Sequence, residues 1–381
     1  MYMNVEKKPG RLISQGGFGC VYYPGIKCNG SIDLNKKYLS KLQKKDFNSK
    51  NEIDISRVVK TIPHYQSFFV PIHSHCDINL SQINSQLLSD CEVISGHNEM
   101  QYTLMRIQYV QNRFFFSFLM DYTKRHIVLN IIELYSYLLN SIKKLLKKKI
   151  VHFDLKNENI LFDIQTNNPL IIDFGISINM DTLHPSNYLD YFYTFSPKYY
   201  IWPLEVHFIN FILHEKNVAT KKDVEKLCDV FVDNNKGLVI FSKGFIKKYR
   251  QSCVSYLSRF ISKPGNDCIE ELLQYYTTWD NYAISILYFR ILAFMFGTGF
   301  FENKFIVSFS QLLLLNISPD PRKRRTIDDS LRIFQGLFYK NDRPTDYLVL
   351  LKNFRIDREE VSKKVMNNNA HLSQIAATMM H

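Results

Sequence analysis

The sequence predicts an α+β fold of two lobes, the first rich in β-strands and the second built from helices. Short β segments dominate the first hundred residues, and from His126 onwards apolar residues recur at helical spacing. Near the end of the chain, residues 282–301 are apolar on nearly every side, which is typical of the central helix of a large domain. The cleft between two such lobes is the default position for a ligand.

The first lobe is predicted from β-branched and aromatic segments, and the second from helical periodicity. The predicted elements of the first lobe are strands at 11–14, 20–23, 37–42, 68–72 and 102–107 and one helix at 48–60. In the second lobe, a helix at 128–146 runs into the lysines of 143–149, which suit the negative end of a helix dipole. A short strand is predicted at 169–172.

The composition is that of an ordinary globular chain. Hydrophobic residues make up 46% and charged residues 22% of the 381 residues, which excludes wholesale disorder, a collagen-like repeat or a polytopic membrane protein. Lys and Arg outnumber Asp and Glu by 48 to 36, a net charge of +12. The basic residues concentrate in three separate stretches, 36–60, 143–149 and 322–325, so no specific nucleic-acid face is expected.

The start of the chain and its cysteines predict a cytoplasmic protein. Residues 1–11 are charged and lack an apolar core, unlike a secretory signal or a membrane anchor. The seven cysteines include no C-x-x-C pair, so we expect reduced thiols in a cytosol. Segment 282–301 is interpreted as a core helix, and no membrane span is predicted.

A glycine-rich turn lies between the first two predicted strands. Gly16, Gly17 and Gly19 place three glycines within four residues. Such a turn is either a tight hairpin or a place where backbone N–H groups approach a polyphosphate without obstruction by side chains. It is not a P-loop, since the G-x-x-x-x-G-K-[ST] pattern occurs nowhere in the chain.

A second, more specific motif follows the long predicted helix. Asp154, Lys156 and Asn159 supply an acceptor for a hydroxyl proton, a cation for a transferring phosphate and a metal ligand. The strand at 169–172 then leads to Asp173, whose carboxylate is a hard ligand suited to Mg²⁺. Together the motifs predict phosphoryl-transfer chemistry.

In this order the motifs resemble those of eukaryotic-type serine/threonine protein kinases, and most of all the divergent kinases of large nucleocytoplasmic DNA viruses. The resemblance covers about residues 11–338. It implies that Asp154 is the catalytic base and that Lys156 contacts the γ-phosphate. It also implies that Asn159 and Asp173 bind Mg²⁺. Lysine at position 156 favours Ser or Thr over Tyr as the acceptor.

The resemblance further implies an ATP site between the lobes. Lys41 would pair with Glu52 of the following helix, with Lys27 and Asp54 as the respective alternatives. Ile107 would stand at the back of the adenine pocket. The residues expected around the nucleotide are Ile13, Ser14, Gly16, Gly17, Phe18, Gly19, Val21, Lys41, Glu52 and the backbone of Gln108 and Val110.

Later landmarks favour a protein kinase over a small-molecule phosphotransferase. The W-P-L-E of residues 202–205 resembles the A-P-E motif, and the D-P-R-K-R of residues 320–324 resembles D-P-x-x-R. Glu205 and Arg324 would then form the buried ion pair of the large lobe. Asp280 stands where the family begins its central helix.

One kinase domain with additions accounts for the length of the chain. The expected divisions are an N-terminal extension at 1–10, the N-lobe at 11–110, the C-lobe at 111–338 with a helical insert at 206–279, and a C-terminal tail at 339–381. The insert would lie beside the substrate groove, where it either recognises substrate or only buttresses the lobe.

Two residues depart from the family pattern. Ser14 replaces the first glycine of G-x-G-x-x-G, which should not prevent phosphate binding because the backbone makes those contacts. Phe153 replaces the Arg of H-R-D, which normally clamps a phosphorylated activation loop. We therefore predict activity without activation-loop phosphorylation.

The predicted function is Mg²⁺- and ATP-dependent phosphorylation of protein Ser and Thr residues by a monomeric viral kinase. The alternatives are a catalytically inactive pseudokinase scaffold, a small-molecule phosphotransferase and a nucleic-acid-binding protein. His73, His75 and Cys76 are interpreted as a loop or strand edge rather than a metal cluster. Cys20 is interpreted as an apolar strand residue rather than a reactive thiol.

Overall fold

The computed structural model describes residues 11–16, 19–94, 101–114, 127–296 and 304–339. Within these ranges the chain forms a β-rich small lobe followed by a helical large lobe. The predicted α+β class, with a sheet in the first part and helices in the second, is confirmed.

The small lobe is built on a five-stranded antiparallel sheet. Its strands are β1 (Arg11–Gly16), β2 (Gly19–Tyr23), β3 (Tyr38–Lys44), β4 (Ile72–Ile78) and β5 (Tyr102–Gln108). Their order in the sheet is β1-β2-β3-β5-β4. Helix α1 (Phe47–Val59) follows β3, and a short helix α2 (Ser85–Leu88) precedes β5. Asp46 and Ser49 cap the start of α1 reciprocally, which satisfies N–H groups that lack an intrahelical partner.

The strand predicted at 68–72 is wrong in its position. Phe68 and Val70 lie in the small lobe between α1 and β4 and bond to the large lobe: Ile171 N–H donates to the Phe68 carbonyl (2.9 Å), and Val70 N–H donates to the Ile171 carbonyl (3.0 Å). The strand begins instead at Ile72 and lies at the sheet edge, paired with β5. Edge strands tolerate polar side chains. The polar sequence H-S-H-C-D within β4 therefore lacks the apolar alternation from which a strand is predicted.

Four of the seven cysteines form disulfides in the small lobe, so the prediction of reduced thiols is wrong for them. Cys20 of β2 is bonded to Cys91, and Cys28 is bonded to Cys76 of β4. The partners are 71 and 48 residues apart in sequence, and connectivity across such separations cannot be read from a sequence. The free thiols, all buried, are Cys228, Cys253 and Cys268.

The histidines of β4 lie on its exposed side. His73 and His75 are both exposed, and the His73 ring packs against Tyr38 with 4.9 Å between centroids. Their neighbour Cys76 is held in its disulfide. Within the described ranges, no three His, Cys, Asp or Glu side chains come close enough to hold a metal ion.

Helices and a few short strands make up the large lobe. The helices are α3 (Ile127–Leu146), α4 (Tyr188–Tyr191), α5 (Leu204–His214), α6 (Lys221–Asp233), α7 (Lys243–Leu257), α8 (Gly265–Leu273), α9 (Trp279–Phe296), α10 (Lys304–Asn316) and α11 (Ile327–Tyr339). The strands are β6 (Asn112–Phe114), β7 (Ile150–Val151), β8 (Ile160–Asp163), β9 (Asn168–Ile171) and β10 (Ile178–Asn179). They pair as β6-β8-β9 and β7-β10.

Helix α9 runs through the core of the large lobe. Tyr288 of α9 packs edge-on against Tyr135 of α3, with 5.0 Å between ring centroids, and Tyr135 meets Phe309 of α10 in the same way. A helix that other helices surround must be apolar on all sides, which explains the composition of this helix as far as Phe296. Among the described residues, no helix has both the length and the hydropathy required to cross a membrane.

Residues 206–279 belong to the same core. Phe208 of α5 and Leu272 of α8 are fully buried in one cluster with α9. The hydroxyl of Tyr249, from α7, donates to the carbonyl of Ile317 at 2.7 Å. Helices α5–α8 are therefore integrated into the large lobe rather than appended to its surface.

A buried ion pair connects the start of α5 to the loop before α11. Arg324 Nη1 and Nη2 lie 2.5 Å and 2.9 Å from Glu205 Oε1 and Oε2, and both side chains are 0% exposed. Arg324 Nε also donates to the carbonyl of Ser318 at 2.8 Å. These are the two residues that the family resemblance pairs, and the bidentate geometry is the one that best offsets the cost of burying both charges.

Candidate active site

Lys41 lies between the lobes and contacts two acids. Its Nζ atom is 2.7 Å from Glu52 Oε2 and 3.0 Å from Asp173 Oδ1. Burial would lower the pKa of Lys41, but Asp173 and Glu52 outweigh it and raise the pKa above its usual value. Burial likewise works against ionisation of Asp173, yet the Lys41 ammonium lowers the pKa of that carboxyl. At neutral pH the site therefore holds a charged lysine beside a charged carboxylate.

The alternatives to this pair lie elsewhere. Lys27 is exposed in a turn after β2. Asp54 forms a surface ion pair with Arg57 one turn further along α1. The structure brings together Lys41 and Glu52 and leaves these two residues outside the cleft.

Asp154 follows β7 in a loop that holds its carboxylate firmly. Lys156 Nζ lies 2.8 Å from Asp154 Oδ2, and Asn159 Nδ2 donates to the same oxygen at 2.9 Å. Asn159 Nδ2 also donates to the Asp154 backbone carbonyl at 2.9 Å. The other carboxylate oxygen, Oδ1, accepts a hydrogen bond from the hydroxyl of Tyr199.

The backbone of this loop is anchored to α9. Asp280 accepts hydrogen bonds from the N–H groups of His152 (2.7 Å) and Phe153 (3.0 Å). His152 Nε2 lies 2.9 Å from the carbonyl of Ile172, next to Asp173. Phe153 and Asp173 both have left-handed φ angles, 69° and 62°, which are costly for residues other than glycine. Strained backbone at functional sites persists only where surrounding contacts hold it, and here the hydrogen bonds to Asp280 and Ile172 are such contacts.

The β1–β2 hairpin carries the predicted phosphate-binding residues. Ser14 pairs with Val21, and the register shifts at Ile13, which is 41% exposed. Gly17 and Phe18, at the tip, lie outside the described residues.

The two described glycines of the hairpin differ in their surroundings. A Cβ on Gly19 would lie 2.5 Å from the backbone carbonyl of Leu42, so β3 excludes any side chain there. A Cβ on Gly16 would meet nothing within 4 Å. Gly16 therefore leaves its backbone accessible to a ligand, whereas Gly19 allows the close approach of two strands.

The connection between the lobes begins where β5 ends, at Gln108. The ring of Tyr109 stacks on a tyrosine of β2 with 4.0 Å between centroids, and Asn112 Nδ2 donates to the Val110 carbonyl at 2.8 Å. Ile107 packs on the cluster formed by residues of α1, β4 and β5. These contacts flank the backbone that is predicted to bind adenine, and its role stays a prediction.

Comparison with known proteins agrees with this arrangement. The protein kinase domain family matches residues 8–203, slightly more than half of the chain. The chain belongs to the protein kinase family. A serine/threonine-protein kinase, pim-2 of Danio rerio, is 30% identical to this kinase over 139 residues, which is 34% of the chain and 41% of that relative. The kinase thus spans less than half the length of this curated relative.

Phe153 of the kinase, in the position of the H-R-D arginine, lies in an aromatic cluster. Its ring stacks on Trp202 with 4.9 Å between centroids and packs on Phe192 (5.8 Å) and Trp279 (5.7 Å). Trp202 Nε1 donates to the Phe153 carbonyl at 2.8 Å. Phe192 and Trp202 lie between residues 173 and 205, which correspond by the family motifs to the activation segment, so apolar packing attaches this segment to the loop that carries Asp154. Such packing needs no phosphate.

We therefore expect phosphatase treatment of the purified kinase to leave kcat for a protein substrate unchanged, because position 153 has no arginine that could bind a phosphate.

Phe153→Ala should instead lower activity and melting temperature together, since removing a buried ring lowers the free energy of unfolding by about 3–5 kcal/mol. Initial rates and thermal melts before and after dephosphorylation provide the measurement. Loss of nearly all activity on dephosphorylation would contradict the expectation.

Asn159 and Asp173 fit Mg²⁺ by the chemistry of their donors. The Nδ2 atom of Asn159 is occupied by Asp154, so its amide oxygen is the atom left for a metal. Asp173 supplies a carboxylate whose pKa is lowered, and Ile172 N–H donates to the Asn159 carbonyl at 3.0 Å, which keeps the two donors in neighbouring positions. One or two protein oxygens plus substrate phosphates are the usual ligands of Mg²⁺.

Sequence reasoning missed two residues of the site. Asn51 of α1 donates to the carbonyls of Gly175 (3.1 Å) and Ser177 (2.8 Å), and so fixes the start of the activation segment. Tyr199, on Asp154, has neighbouring tyrosines in the same segment, and nothing in the sequence separates it from them. Burial and then Asp154 raise the pKa of Tyr199, so its hydroxyl remains protonated.

The hairpin glycines provide a test of the register. Gly19→Ala should lower the free energy of unfolding by about 1–3 kcal/mol, the usual cost of overpacking, because its Cβ would clash with the Leu42 carbonyl. Gly16→Ala is the matched control and should leave the melting temperature unchanged, since its Cβ meets only open space. Equal melting temperatures for the two variants would contradict the pairing of β2 with β3.

Proposed function

We propose that this kinase transfers the γ-phosphate of ATP to Ser and Thr hydroxyls of proteins. The observation that carries the proposal is the arrangement around Asp154. Lys156 and Asn159 hold one of its carboxylate oxygens at 2.8 Å and 2.9 Å. Across the cleft, the Lys41 ammonium is paired with Glu52. This is the set of groups that phosphoryl transfer requires.

In the proposed reaction, Asp154 orients the acceptor hydroxyl and accepts its proton as the phosphoryl group is transferred. The ammonium groups of Lys41 and Lys156 offset negative charge on the phosphate oxygens. Glu52 keeps Lys41 extended into the cleft. Mg²⁺ held by Asn159 and Asp173 would supply further neutralisation of phosphate charge when bound.

Two observations support Ser and Thr as acceptors. Lys156 follows Asp154 by two residues, as in the serine/threonine kinases that the sequence resembles. The relative from Danio rerio is named as a serine/threonine-protein kinase. The protein substrates, the monomeric state and the narrower resemblance to kinases of large DNA viruses stay predictions.

Phosphorylation of added protein tests the proposal. The purified chain, Mg²⁺ and radiolabelled ATP should transfer label to casein or a basic protein, and hydrolysis of the product should yield phosphoserine and phosphothreonine. Lys41→Met should abolish labelling. Lys45→Met is the matched control, because Lys45 is an exposed lysine of the same lobe that pairs with Asp77.

Two results would overturn the proposal. A wild-type chain that binds ATP without labelling any protein would favour the pseudokinase scaffold. Labelling that Lys41→Met leaves unchanged would contradict the assignment of the site.

The cytoplasmic location also stays a prediction, now with weaker support. Disulfides are rare in proteins of a reducing cytosol, and four cysteines of the small lobe are disulfide-bonded. The cysteine argument for the cytoplasm therefore no longer holds.

A further inference from the structure

Two cations lie against one tyrosine of the large lobe. Arg290 Nη1 donates to the hydroxyl of Tyr200 at 2.5 Å, and the Arg290 guanidinium carbon lies 5.3 Å from the centroid of the tyrosine ring. The Nζ atom of Lys236 lies 5.3 Å from the same centroid. Both distances are those of cation–π contacts. These three residues, which we call the Tyr200 site, bring together two positive charges that the proposed phosphoryl transfer does not use.

The Tyr200 site lies next to the place where an acceptor hydroxyl would stand. The hydroxyl of Tyr199 bonds to the Asp154 carboxylate and so marks that place. Tyr200 is the next residue, and consecutive Cα atoms are only ~3.8 Å apart. Burial raises the pKa of Tyr200, and the positive charges of Arg290 and Lys156 act against that rise. Because Lys156 bonds to Asp154 at 2.8 Å, its effect on Tyr200 also indicates that this tyrosine is close to the base.

The fold sets the two cations side by side by packing the connection between α6 and α7 onto α9. Asn235 Nδ2 donates to a tyrosine hydroxyl of α9 at 2.9 Å, and a Cβ on Gly237 would lie 2.8 Å from the Cδ1 atom of Ile286. Ile286 and Arg290 are one helical turn apart and therefore lie on the same face of α9. Lys236, between Asn235 and Gly237, is thus carried to the face that presents Arg290.

The charges around Tyr200 leave a positive excess. Burial has the largest effect on the pKa of Tyr200, and the exposed carboxylate of Glu158 raises it further, so one negative charge lies nearby. The charge of Lys156 is offset by Asp154. Arg290 and Lys236 then supply two positive charges against the single negative charge of Glu158, and Lys236 is exposed.

We propose that Lys236 and Arg290 select substrates that carry an acidic side chain close to the phosphorylated Ser or Thr. This selection rests on the proposed function, because only a kinase that acts on protein Ser or Thr has such a substrate. A carboxylate accepts charge-assisted hydrogen bonds from guanidinium and ammonium groups, and these are stronger than bonds between neutral groups. A basic side chain in the same position would be repelled, which adds discrimination.

The proposed site also gives a role to residues 206–279. The sequence left open whether this stretch recognises substrate or only buttresses the lobe. Its helices are integrated into the core, yet the loop between α6 and α7 places Lys236 at the Tyr200 site. Substrate recognition by this loop is therefore compatible with a structural role for the helices on either side of it.

A set of peptides tests the preference. Each peptide has one Ser as acceptor, and Glu, Gln or Lys is placed in turn at each flanking position. With the full chain, Mg²⁺ and radiolabelled ATP, kcat/KM should be about tenfold higher for the best Glu peptide than for its Gln counterpart, as expected for one charge-assisted hydrogen bond. The Lys counterpart should be a poorer substrate than the Gln peptide, because like charges repel.

Substitutions assign the preference to its residues. Lys236→Glu should lower the ratio of kcat/KM between the Glu and Gln peptides and improve the Lys peptide, and this variant should fold because Lys236 is exposed. Arg290→Gln should bring the ratio close to one, with a thermal melt to check folding. Arg332→Gln is the matched control, because Arg332 is a 79% exposed arginine of the same lobe that pairs with Asp329. It should keep the wild-type ratio.

The results separate the two proposals. Equal kcat/KM for the Glu and Gln peptides at every position overturns the inference and leaves the proposed function standing. A preference for Lys peptides also overturns the inference and would make Glu158 the selecting residue. A Glu preference that both Lys236→Glu and Arg290→Gln retain overturns the assignment to these two residues. Absence of phosphate on every peptide and on casein overturns the proposed function together with the inference.

Discussion

Replacing Asp154 with Asn should lower kcat for protein phosphorylation by about 10²–10⁴-fold, the range typical of a lost general base. The amide has the shape of the carboxylate but cannot accept the proton of the acceptor hydroxyl. Lys156 and Asn159 can still donate to its remaining oxygen, so the loop should keep its conformation. Initial rates at saturating ATP, together with thermal melts, provide the measurement.

The matched control for this substitution is Asp181→Asn. Asp181 is an exposed aspartate of the same lobe that pairs with Lys149 at 2.6 Å, and it should tolerate the change without loss of kcat. Turnover close to wild type in the Asp154 variant would remove Asp154 from the reaction. A loss of kcat accompanied by a large fall in melting temperature would point to misfolding instead. KM for ATP would distinguish misfolding from the loss of the base, because a folded variant should keep the wild-type KM.

Replacing Arg324 with Met should lower the free energy of unfolding by about 3–5 kcal/mol, the usual cost of leaving a buried charge without its partner. Glu205 is 0% exposed and would remain in the core with its partner gone. The double variant Glu205→Leu/Arg324→Met should be less destabilised than the sum of the two single variants, because it removes both charges. Chemical denaturation of the wild type, the two single variants and the double variant completes this double-mutant cycle.

An exposed ion pair supplies the comparison. Lys45 and Asp77 are 45% and 59% exposed in their side chains, and exposed pairs contribute little to stability. Lys45→Met should therefore leave the denaturation midpoint nearly unchanged. If Arg324→Met proved as mild as Lys45→Met, the pair with Glu205 would not be a structural element of the large lobe.

Much of the site could be predicted because its residues are close in sequence. Asp154 and Asn159 are five residues apart, and the single 3₁₀ turn at Asn157–Asn159 is enough to return the Asn159 amide to the carboxylate. Local chain geometry thus encodes the loop. Predicting the pair of Lys41 and Glu52 required a strand followed by a helix, and the sequence patterns of both elements were recognisable.

What the sequence did not reveal depends on contacts between distant segments. Cys20 and Cys91 are 71 residues apart, and Tyr199 reaches Asp154 over 45 residues. No periodicity links such positions, and only the folded sheet and the closed activation segment bring them together. The pair of Glu205 and Arg324, 119 residues apart, was predicted through the family resemblance alone.

The two disulfides have a mechanical consequence. Both connect residues within 19–94, and the described free cysteines lie in the large lobe, so neither bond bridges the cleft. The connection after Gln108 therefore carries no cross-link of its own among the described cysteines. Cross-links also restrict the unfolded chain. Reduction should therefore destabilise the small lobe while leaving the stability of the large lobe unchanged.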